Sequence, residues 1–495
     1  TNSFVLTIVA ITMMSLTSLA QLSGTYTIDP NGSGTSNYAS FAAATAALTT
    51  SGVSGAVTFN VKEGTYTEQV SFGSYTGASA ANTITFKADA SNTSPAIITF
   101  APTSSAVTSN YTVQFNNAAY ITMDGLTVAT AGTSYGRLVN ITGTTNNVIH
   151  VDNCTFNGYV GSNSSFFALW YATSMQYDSL TIENSTFNDG SYGVYLYGTS
   201  SAMSENLVFR NNTLSGFSYG YGLALGYTNS GAVHDNTIHQ SATATSFGYG
   251  LRLYGYSQNT SPGAWTVHDN DIKLNYGYGI YAYYTYGTAT EPTTIYNNAV
   301  VFNSGSSYNY GLYVYHPVYM EVTNNTFRTG SASSTNRPVY TTASTSTLYP
   351  TPSITLKNNI FHNEVQGYPV YFYVSSLFAN SYITSENNLF YTPSSGVSGY
   401  YYGTSNLTSF AAYQTASGDS TSAEGDAQFT NVGDWHVEGL AASNNAQSVS
   451  YITTDLDGDV RSSSTPDIGA DEFVPPACAT PSSLTFGAIS ATSAS

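Results

Sequence analysis

Short phrases in which two polar residues, mostly Asn, precede a small and then an apolar residue recur along the middle of the chain, as in Thr323–Phe327. The apolar residues that close successive copies recur at intervals of about 30 residues, which lies within the range of solenoid periods. A repeat of this length indicates one supersecondary unit stacked on copies of itself. The copies are Asp152–Phe156, Glu183–Phe187, Arg210–Leu214, His234–Ile238, His268–Ile272, Tyr296–Val300, Thr323–Phe327, Lys357–Phe361 and Glu386–Phe390.

A second phrase, in which Gly opens a strict alternation of apolar and Tyr residues, precedes most of these copies. It reads Gly193–Tyr197, Gly222–Gly226, Gly250–Tyr254, Gly279–Tyr283 and Gly311–Tyr315, with weaker copies at Pro338–Tyr340 and Pro369–Tyr373. Alternation of period two predicts strands with one apolar face. The apolar face would hold Val194, Leu223, Leu251, Ile280, Leu312, Val339 and Val370, and the opposite face Tyr195, Ala224, Arg252, Tyr281, Tyr313, Tyr340 and Tyr371.

If the copies stack in register about 4.8 Å apart, like residues form columns. Asn tolerates the left-handed bend between two strands, and its amide can bond the Asn above and below. The sequence therefore predicts a ladder of Asn side chains, with the apolar residues filling the interior. The Ala-rich segment Ser40–Leu48 is the one credible helix. We expect it to cap the open N-terminal end of the solenoid.

These features resemble the secreted right-handed parallel β-helix proteins of the pectate-lyase-like superfamily. The cap of such proteins matches Val61–Glu68, and the tail of many exported bacterial members matches Asp455–Arg461 and Asp467–Phe473. The resemblance covers roughly residues 24–473. It implies an all-β fold, a right-handed parallel β-helix of about eleven rungs with an N-terminal capping helix, and it is specific for fold rather than function.

The organisation of the chain follows from this interpretation. The apolar run Phe4–Ala20 ends in small residues typical of a signal peptidase site, and it is short for a membrane-spanning anchor. Cys478–Thr485 resembles the opening strand of a fibronectin type III domain. We therefore predict a signal peptide at 1–20, an N-terminal cap and first rungs at 21–108, β-helix repeats at 109–404, C-terminal rungs and cap at 405–473, and a linker with the truncated start of a fibronectin type III domain at 474–495.

The net charge and the predicted export restrict the classes of partner that the protein can bind. The formal net charge is -18 and only 8% of residues are charged. This balance argues against nucleic acid and anionic membranes as partners, since both need clustered Lys or Arg. It also argues against tight binding of strongly anionic polysaccharides unless metal ions bridge the charges. We expect a secreted protein or one on the extracellular cell surface, with no membrane contact after signal cleavage and with further domains in the same chain.

Catalytic groups are not evident. Lyases of the family that the chain resembles need Lys or Arg as base, and glycosidases need two carboxylates. Arg252 and Arg137 are present, with His316 nearby, but no carboxylates recur on adjacent copies of the Tyr-bearing strand, so no catalytic residue is assigned. His234 and His268 align one rung apart. A metal pair is one interpretation, and exposed polar residues are the simpler one.

A turn near the C-terminus is the candidate cation site. Asp455, Asp457 and Asp459 alternate around Gly458 as in Ca²⁺ loops, but the twelfth position of the loop is Pro466 instead of a carboxylate. The alternative is a tight turn that closes the last rung, with Arg461 paired to an Asp. No cofactor other than this Ca²⁺ is predicted.

The Tyr columns are the strongest functional signal among the 43 Tyr of the chain. Aromatic faces with hydroxyl rims suit stacking on sugar rings, although Tyr also favours strands and tiles a sheet by itself. We predict a non-catalytic adhesion or glycan-binding module that binds a polysaccharide surface. The alternatives are a polysaccharide lyase or glycoside hydrolase acting on the same face, and a structural spacer of a larger adhesin. The candidate ligand-binding residues are Tyr195, Tyr197, Arg252, Tyr254, Tyr281, Tyr283, Tyr313, Tyr315, Tyr340, Tyr371 and Tyr373.

Overall fold

Three parallel sheets run the length of the molecule, and each rung contributes one strand to each of them. The computed structural model describes residues 20–159, 164–258, 263–303, 308–346, 348–373 and 382–476. Over these residues the chain is an all-β parallel solenoid of about twelve turns, which confirms the predicted fold and adds one rung to the predicted eleven. The predicted signal peptide and the predicted fibronectin type III segment lie outside the described residues, apart from Ala20 and 474–476.

The chain passes from sheet 1 to sheet 2 to sheet 3 in each rung. Sheet 1 contains Leu22–Ile28, Asn37–Tyr38, Val53–Val61, Ile84–Ala88, Ala119–Asp124, Asn146–Asp152, Tyr177–Glu183, Glu205–Arg210, Gly231–His234, Trp265–His268, Thr293–Tyr296, Met320–Thr323, Ile354–Lys357 and Ile383–Glu386. Sheet 2 contains Gly64–Thr67, Ala96–Phe100, Thr127–Thr130, Thr155–Asn157, Thr186–Asn188, Thr213–Phe217, Thr237–Gln240, Asp271–Leu274, Ala299–Phe302, Thr326–Thr329, Ile360–Asn363, Leu389–Tyr391 and Ala423–Glu424.

Sheet 3 carries the Tyr-rich strands. Its members are Val70–Phe72, Val113–Asn116, Val139–Thr142, Trp170–Thr173, Val194–Tyr197, Gly220–Gly226, Gly248–Tyr254, Gly277–Tyr283, Asn309–Tyr315, Arg337–Thr342, Tyr371–Tyr373, Tyr400–Gly403 and Ser405–Leu407. Ser405–Leu407 pairs antiparallel with Tyr400–Gly403. Like residues of successive copies pair directly, so that Tyr281 lies opposite Tyr313 on the next rung. The strands of sheet 3 therefore pair in the register that the predicted columns require.

The corner between sheets 1 and 2 is built by the Asn phrases. Asn298 is representative: its Oδ1 accepts the side-chain N–H of Asn270 at 2.8 Å, and its Nδ2 donates to Oδ1 of Asn325 at 2.9 Å. Buried amides joined in this way satisfy one another without water, which confirms the predicted ladder. Its members are Asn212, Asn236, Asn270, Asn298, Asn325, Asn359 and Asn388.

The second residue of each Asn phrase makes the bend itself. These residues have φ between 49° and 57°. This is the left-handed region, which Asn and Asp tolerate better than other non-glycine residues. Asp235 and Asp269 belong to this set, so they take the place of Asn at the bend of their rungs. The set comprises Asn153, Asn184, Asn211, Asp235, Asp269, Asn297, Asn324, Asn358 and Asn387.

The Gly that opens each Tyr phrase is required by packing against sheet 2. A Cβ added at Gly250 would lie 2.3 Å from Cγ2 of Ile272, and one at Gly279 would lie 2.1 Å from Cγ1 of Val300. Interiors are close-packed, so only a residue without a side chain fits where the apolar residue of sheet 2 comes this close to the backbone of sheet 3. The Gly of the Tyr phrase and the apolar residue that ends the Asn phrase thus pack against each other.

Two short helices lie at the ends of the solenoid. Helix α1 spans Phe41–Ser51 and buries Phe41, Ala44 and Leu48, as expected of a cap. Its first two backbone N–H groups donate to the carboxylate oxygens of Glu68, each at 2.9 Å. This places a negative charge at the positive end of the helix. Helix α2 spans Phe410–Ser417 and buries Tyr413, and Ser165–Phe167 forms a 3₁₀ turn. No helix among the described residues is long and apolar enough to cross a membrane.

Residues 426–473, named here the C-terminal strap, pack against the outside of the corner. The side-chain amides of the corner residues donate to strap carbonyls: Asn297 to Thr454 at 2.7 Å, and Asn358 to Gln447 at 2.8 Å. The Ala470 N–H donates to Oγ1 of Thr326 at 3.0 Å. The strap therefore links successive later rungs along the outer side of the corner.

Candidate functional site

The predicted Tyr columns lie side by side on the outer surface of sheet 3, and together they form what we call the tyrosine face. The first column contains Tyr171, Tyr195, Arg252, Tyr281, Tyr313, Tyr340, Tyr371 and Tyr401, with Ala224 between Tyr195 and Arg252. The second column contains Tyr197, Tyr254, Tyr283, Tyr315 and Tyr373, interrupted by Gly226 and Thr342. Strand alternation places both columns opposite the buried apolar residues.

A third column of the tyrosine face was not predicted from the sequence. It contains Tyr221, Tyr249, Tyr278, Tyr310 and Arg337, which pair in register from rung to rung. Each of the four tyrosines directly precedes the Gly of the second phrase. That Gly and the apolar residue after it are both buried, so the alternation skips one step and the Tyr before the Gly stays on the outer side. Strict alternation would have turned these tyrosines inward, and their recurrence before the Gly was the one available signal.

Rings of adjacent rungs stack nearly parallel. The ring centroids of Tyr281 and Tyr313 are 4.7 Å apart with an interplanar angle of 9°, and those of Tyr371 and Tyr401 are 4.2 Å apart at 8°. In the second column, Tyr283 and Tyr315 stack at 4.6 Å. Such contacts hold each ring in place, so the tyrosine face presents a rigid aromatic surface.

The tyrosines of the face are half-buried, which is less open than the exposed columns that the sequence suggested. Only Tyr373 among the predicted residues counts as exposed. Burial raises the pKa of Tyr195 to about 12, and it also raises the pKa of Tyr281 and of Tyr313. The phenols therefore stay neutral at physiological pH and keep an O–H that can donate a hydrogen bond.

Arg252 lies inside the face, surrounded by aromatic rings. Its guanidinium carbon is 4.9 to 5.6 Å from the centroids of five tyrosine rings. These separations are within cation–π range. Nη1 donates to the hydroxyl of Tyr221 at 3.1 Å, and the buried Nε has no hydrogen-bond partner. No ion pair of Arg252 exists among the described residues.

Arg337 and Arg137 repeat this arrangement at other rungs. The guanidinium carbon of Arg337 is 3.8 Å from the ring centroid of Tyr371, and that of Arg137 is 3.9 Å from the ring centroid of Tyr171. Each has one buried nitrogen without a hydrogen-bond partner, Nε of Arg337 and Nη1 of Arg137. The described strands of sheet 3 contain no Asp, Glu or Lys. The face is therefore aromatic with isolated cations.

The predicted cation turn is held by backbone hydrogen bonds. Oδ1 of Asp455 accepts the N–H groups of Asp457 at 3.0 Å and Asp459 at 2.8 Å, and Oδ2 accepts the N–H of Glu472 at 2.8 Å. Arg461 pairs with Glu472, at 3.5 Å, instead of with an Asp as expected. These contacts match the tight turn that was the alternative interpretation.

Carboxylate oxygens do converge near this turn, but with a different third member. Asp455, Asp457 and Asp471 each bring one oxygen within 4.8 Å of the others, whereas Asp459 is exposed and outside the group. Burial raises the pKa of Asp471 to about 6, and Oδ2 of Asp471 accepts the N–H of Val437 at 2.8 Å. Three carboxylates supply part of the six to eight oxygens that Ca²⁺ takes. These are the residues that could hold such an ion.

One comparison with known proteins agrees with the fold. The sequence model of the family described as right handed beta helix region matches residues 111–333. Among solved structures, the chain is similar to a rhamnogalacturonan lyase, with 12% sequence identity, a TM-score of 0.37, and coverage of 74% of this chain and 87% of that one. No curated protein matches the chain. The class that fold and family match define together is the right-handed parallel β-helix.

Proposed function

We propose that the chain is an exported, non-catalytic adhesion or glycan-binding module that binds polysaccharide on the tyrosine face. The observation that carries this proposal is the stacking of Tyr281, Tyr313, Tyr340 and Tyr371 into one continuous column beside a second and a third. The rings in this row are spaced 4.7 to 5.1 Å apart. Because the rings of this row cover one another's faces, the row offers ring edges and phenol hydroxyls to an extended sugar chain, and the hydroxyls can bond sugar hydroxyls.

Two further features support binding on this face. The rings are fixed by their neighbours, so little conformational entropy is lost when a ligand binds to them. The lack of carboxylates in the described strands of sheet 3 favours binding over the alternative of lyase or hydrolase chemistry on the same surface.

The test is binding of the purified chain to a broad panel of neutral and charged polysaccharides. The triple variant Tyr281→Ala, Tyr313→Ala, Tyr371→Ala removes three rings of one column, and we expect it to lose binding by tenfold or more. The matched control is Tyr120→Ala with Tyr319→Ala, one half-buried and one exposed tyrosine that lie outside the strands of sheet 3. The control should bind as the unaltered chain does.

Three outcomes would contradict the proposal. No binding across the whole panel would favour a structural spacer. Binding that survives the triple variant would place the ligand elsewhere on the molecule. Release of unsaturated or reducing sugars by the pure protein would establish the enzyme alternative.

A further inference from the structure

Two histidines stack on the corner between sheets 1 and 2, away from the tyrosine face. His234 and His268 end adjacent strands of sheet 1 and pair directly in register. Their ring centroids are 4.6 Å apart and the rings are almost parallel, at 7°. Tyr296 continues the stack on the next rung, 4.6 Å from His268 at 5°. The two imidazoles therefore face the same way, one above the other.

The orientation of both rings is set by the residue that follows each histidine. Nδ1 of His234 lies 2.6 Å from Oδ2 of Asp235, and Nδ1 of His268 lies 2.6 Å from Oδ2 of Asp269. A carboxylate at Nδ1 keeps the proton of a neutral imidazole on that nitrogen and leaves the lone pair on Nε2. No hydrogen bond to either Nε2 is made by the described residues. This carboxylate–histidine arrangement is the one that orients metal-binding histidines and raises their basicity.

The surroundings also favour a cation. The corner borders a groove of about 460 Å³ between sheet 2 and the C-terminal strap, lined in part by the same Asp235 and Asp269. Its other charged lining residues are Asp271, Asp434, Asp457, Lys273 and His436, so carboxylates outnumber cations. The buried Oδ1 atoms of Asp269 and Asp271 have no hydrogen-bond partner, which leaves two anionic acceptors open.

Arg210, the residue that pairs with His234 on the preceding rung, would repel a metal ion if its charge were free. Its guanidinium instead binds the carboxylate of Glu183, with Nη2 2.6 Å from Oε2. The repulsion is therefore largely offset. Because nitrogen-to-metal distances are about 2.0–2.1 Å and the site is tetrahedral, the two Nε2 atoms must converge to about 3.4 Å to share one ion. The rings are now stacked with their centroids 4.6 Å apart, so each imidazole must turn its Nε2 edge toward the other, and the ion then takes the place of the stacking contact.

From these contacts we infer that His234 and His268 bind one divalent transition-metal ion of the kind that prefers imidazole, Zn²⁺, Ni²⁺ or Cu²⁺. The two Nε2 atoms are the protein ligands, Asp235 and Asp269 are the positioning residues, and water fills the remaining coordination positions. The site is independent of the proposed polysaccharide binding, because neither histidine belongs to sheet 3.

The experiment is calorimetric titration of the full chain with Zn²⁺ and with Ni²⁺ at pH 7.5. We expect one ion per chain at micromolar concentration, and a loss of affinity of tenfold or more in His234→Ala and in His268→Ala. Asp235→Asn with Asp269→Asn should weaken binding less, because only the orientation of the imidazoles changes.

The matched control is His150→Ala, since His150, Asp152 and Glu183 form a separate group of metal-ligating side chains on nearby rungs. Its affinity should equal that of the unaltered chain. Cu²⁺ added below one equivalent should also broaden the imidazole proton resonances of His234 and His268 before those of the other histidines. The inference is overturned if neither histidine variant changes the affinity, if His150→Ala abolishes binding, or if millimolar Ca²⁺ displaces the ion, which would place it among carboxylates.

Discussion

Nη2 of Arg461 donates a hydrogen bond of 3.0 Å to Oδ1 of Asn297, a residue 164 positions earlier in the chain. Asn297 is one of the corner residues in the left-handed conformation. The same guanidinium donates to the carbonyl of Gly469 at 2.8 Å, so it joins the C-terminal strap to the solenoid and to itself. The corner that lets the chain turn from sheet 1 to sheet 2 is thus also the attachment point of the strap.

Replacing Arg461 with Ala should release the strap. Arg461 is buried, and the substitution leaves the carboxylate of Glu472 and the amide oxygen of Asn297 without their partner. Removing one member of a buried ion pair costs about 3–5 kcal/mol. We expect a separate early unfolding transition in urea and rapid proteolysis within 426–473.

The control for Arg461→Ala is Arg210→Ala, whose side chain is 44% exposed. Its ion pair is screened by solvent, so its loss should cost under about 1 kcal/mol. Equal protease resistance of the two variants would contradict the attachment of the strap through Arg461.

Replacing Asn298 with Ala should weaken the ladder at its centre. The side chain of Asn298 donates to the carbonyl of Val267 at 3.0 Å and to Asn325, and it accepts from Asn270. Each buried partner left unsatisfied costs about 1–3 kcal/mol, so we expect a loss of at least about 3 kcal/mol in the free energy of unfolding. Thermal unfolding followed by circular dichroism measures it. The control is Asn303→Ala, at a more exposed side-chain contact with Asn275. It should change stability by less than about 1 kcal/mol.

The parts of the fold that repeat could be predicted, and the parts that do not repeat could not. The Asn phrase specifies a bend and a buried amide in every copy, so residues such as Asn298 were assigned from spacing alone. The path of the strap depends on single contacts, such as the hydrogen bond from Arg461 to Asn297. These contacts do not recur along the sequence, so the repeat could not predict them. The third Tyr column needed the structure, because Gly279 and Ile280 are both buried and strict alternation would have turned Tyr278 inward.

The candidate sites divide in the same way. Arg252 was placed correctly on the face with the tyrosines because alternation fixes the side of a strand. The approach of Asp471 to Asp455 and Asp457 follows from the closure of the strap, and that closure is a long-range contact that the spacing of the Asp residues does not encode.

Replacing Gly250 with Ala should strain the contact between sheets 2 and 3. The added Cβ would lie 2.3 Å from Cγ2 of Ile272 and 2.7 Å from the carbonyl oxygen of Gly279, and the backbone cannot yield without shifting the next rung. Overpacking of this kind costs about 1–3 kcal/mol. Gly73→Ala is the control, because the nearest atom to its Cβ would be the carbonyl oxygen of Asn116 at 3.7 Å. In chemical denaturation, Gly250→Ala should therefore unfold at a lower denaturant concentration than Gly73→Ala. Equal midpoints would show that the interior has room for a Cβ at Gly250.

Glu364 makes stability depend on pH on the acid side. Burial acts to raise the pKa of Glu364, but hydrogen bonds from His362 and Arg328 outweigh it and lower the pKa from 4.5 to about 2. A carboxyl group whose pKa is lowered on folding stabilises the fold above its unfolded pKa, and this stabilisation is lost as the pH falls toward the folded value. The side chain of Glu364 is 33% exposed. Solvent screening therefore leaves a contribution of only about 1–2 kcal/mol at pH 7.

Glu364→Gln keeps the shape of the side chain and removes the charge. The variant should be less stable than the unaltered chain at pH 7, and the difference in the free energy of unfolding should shrink between pH 4.5 and pH 2, where the unaltered carboxyl takes up its proton. Urea titrations at several pH values measure this difference. Glu205→Gln, at an exposed residue with no ion pair among the described side chains, should show no such trend. A difference for Glu364→Gln that stays constant down to pH 2 would mean that packing, and not the charge beside Arg328, is what Glu364 contributes.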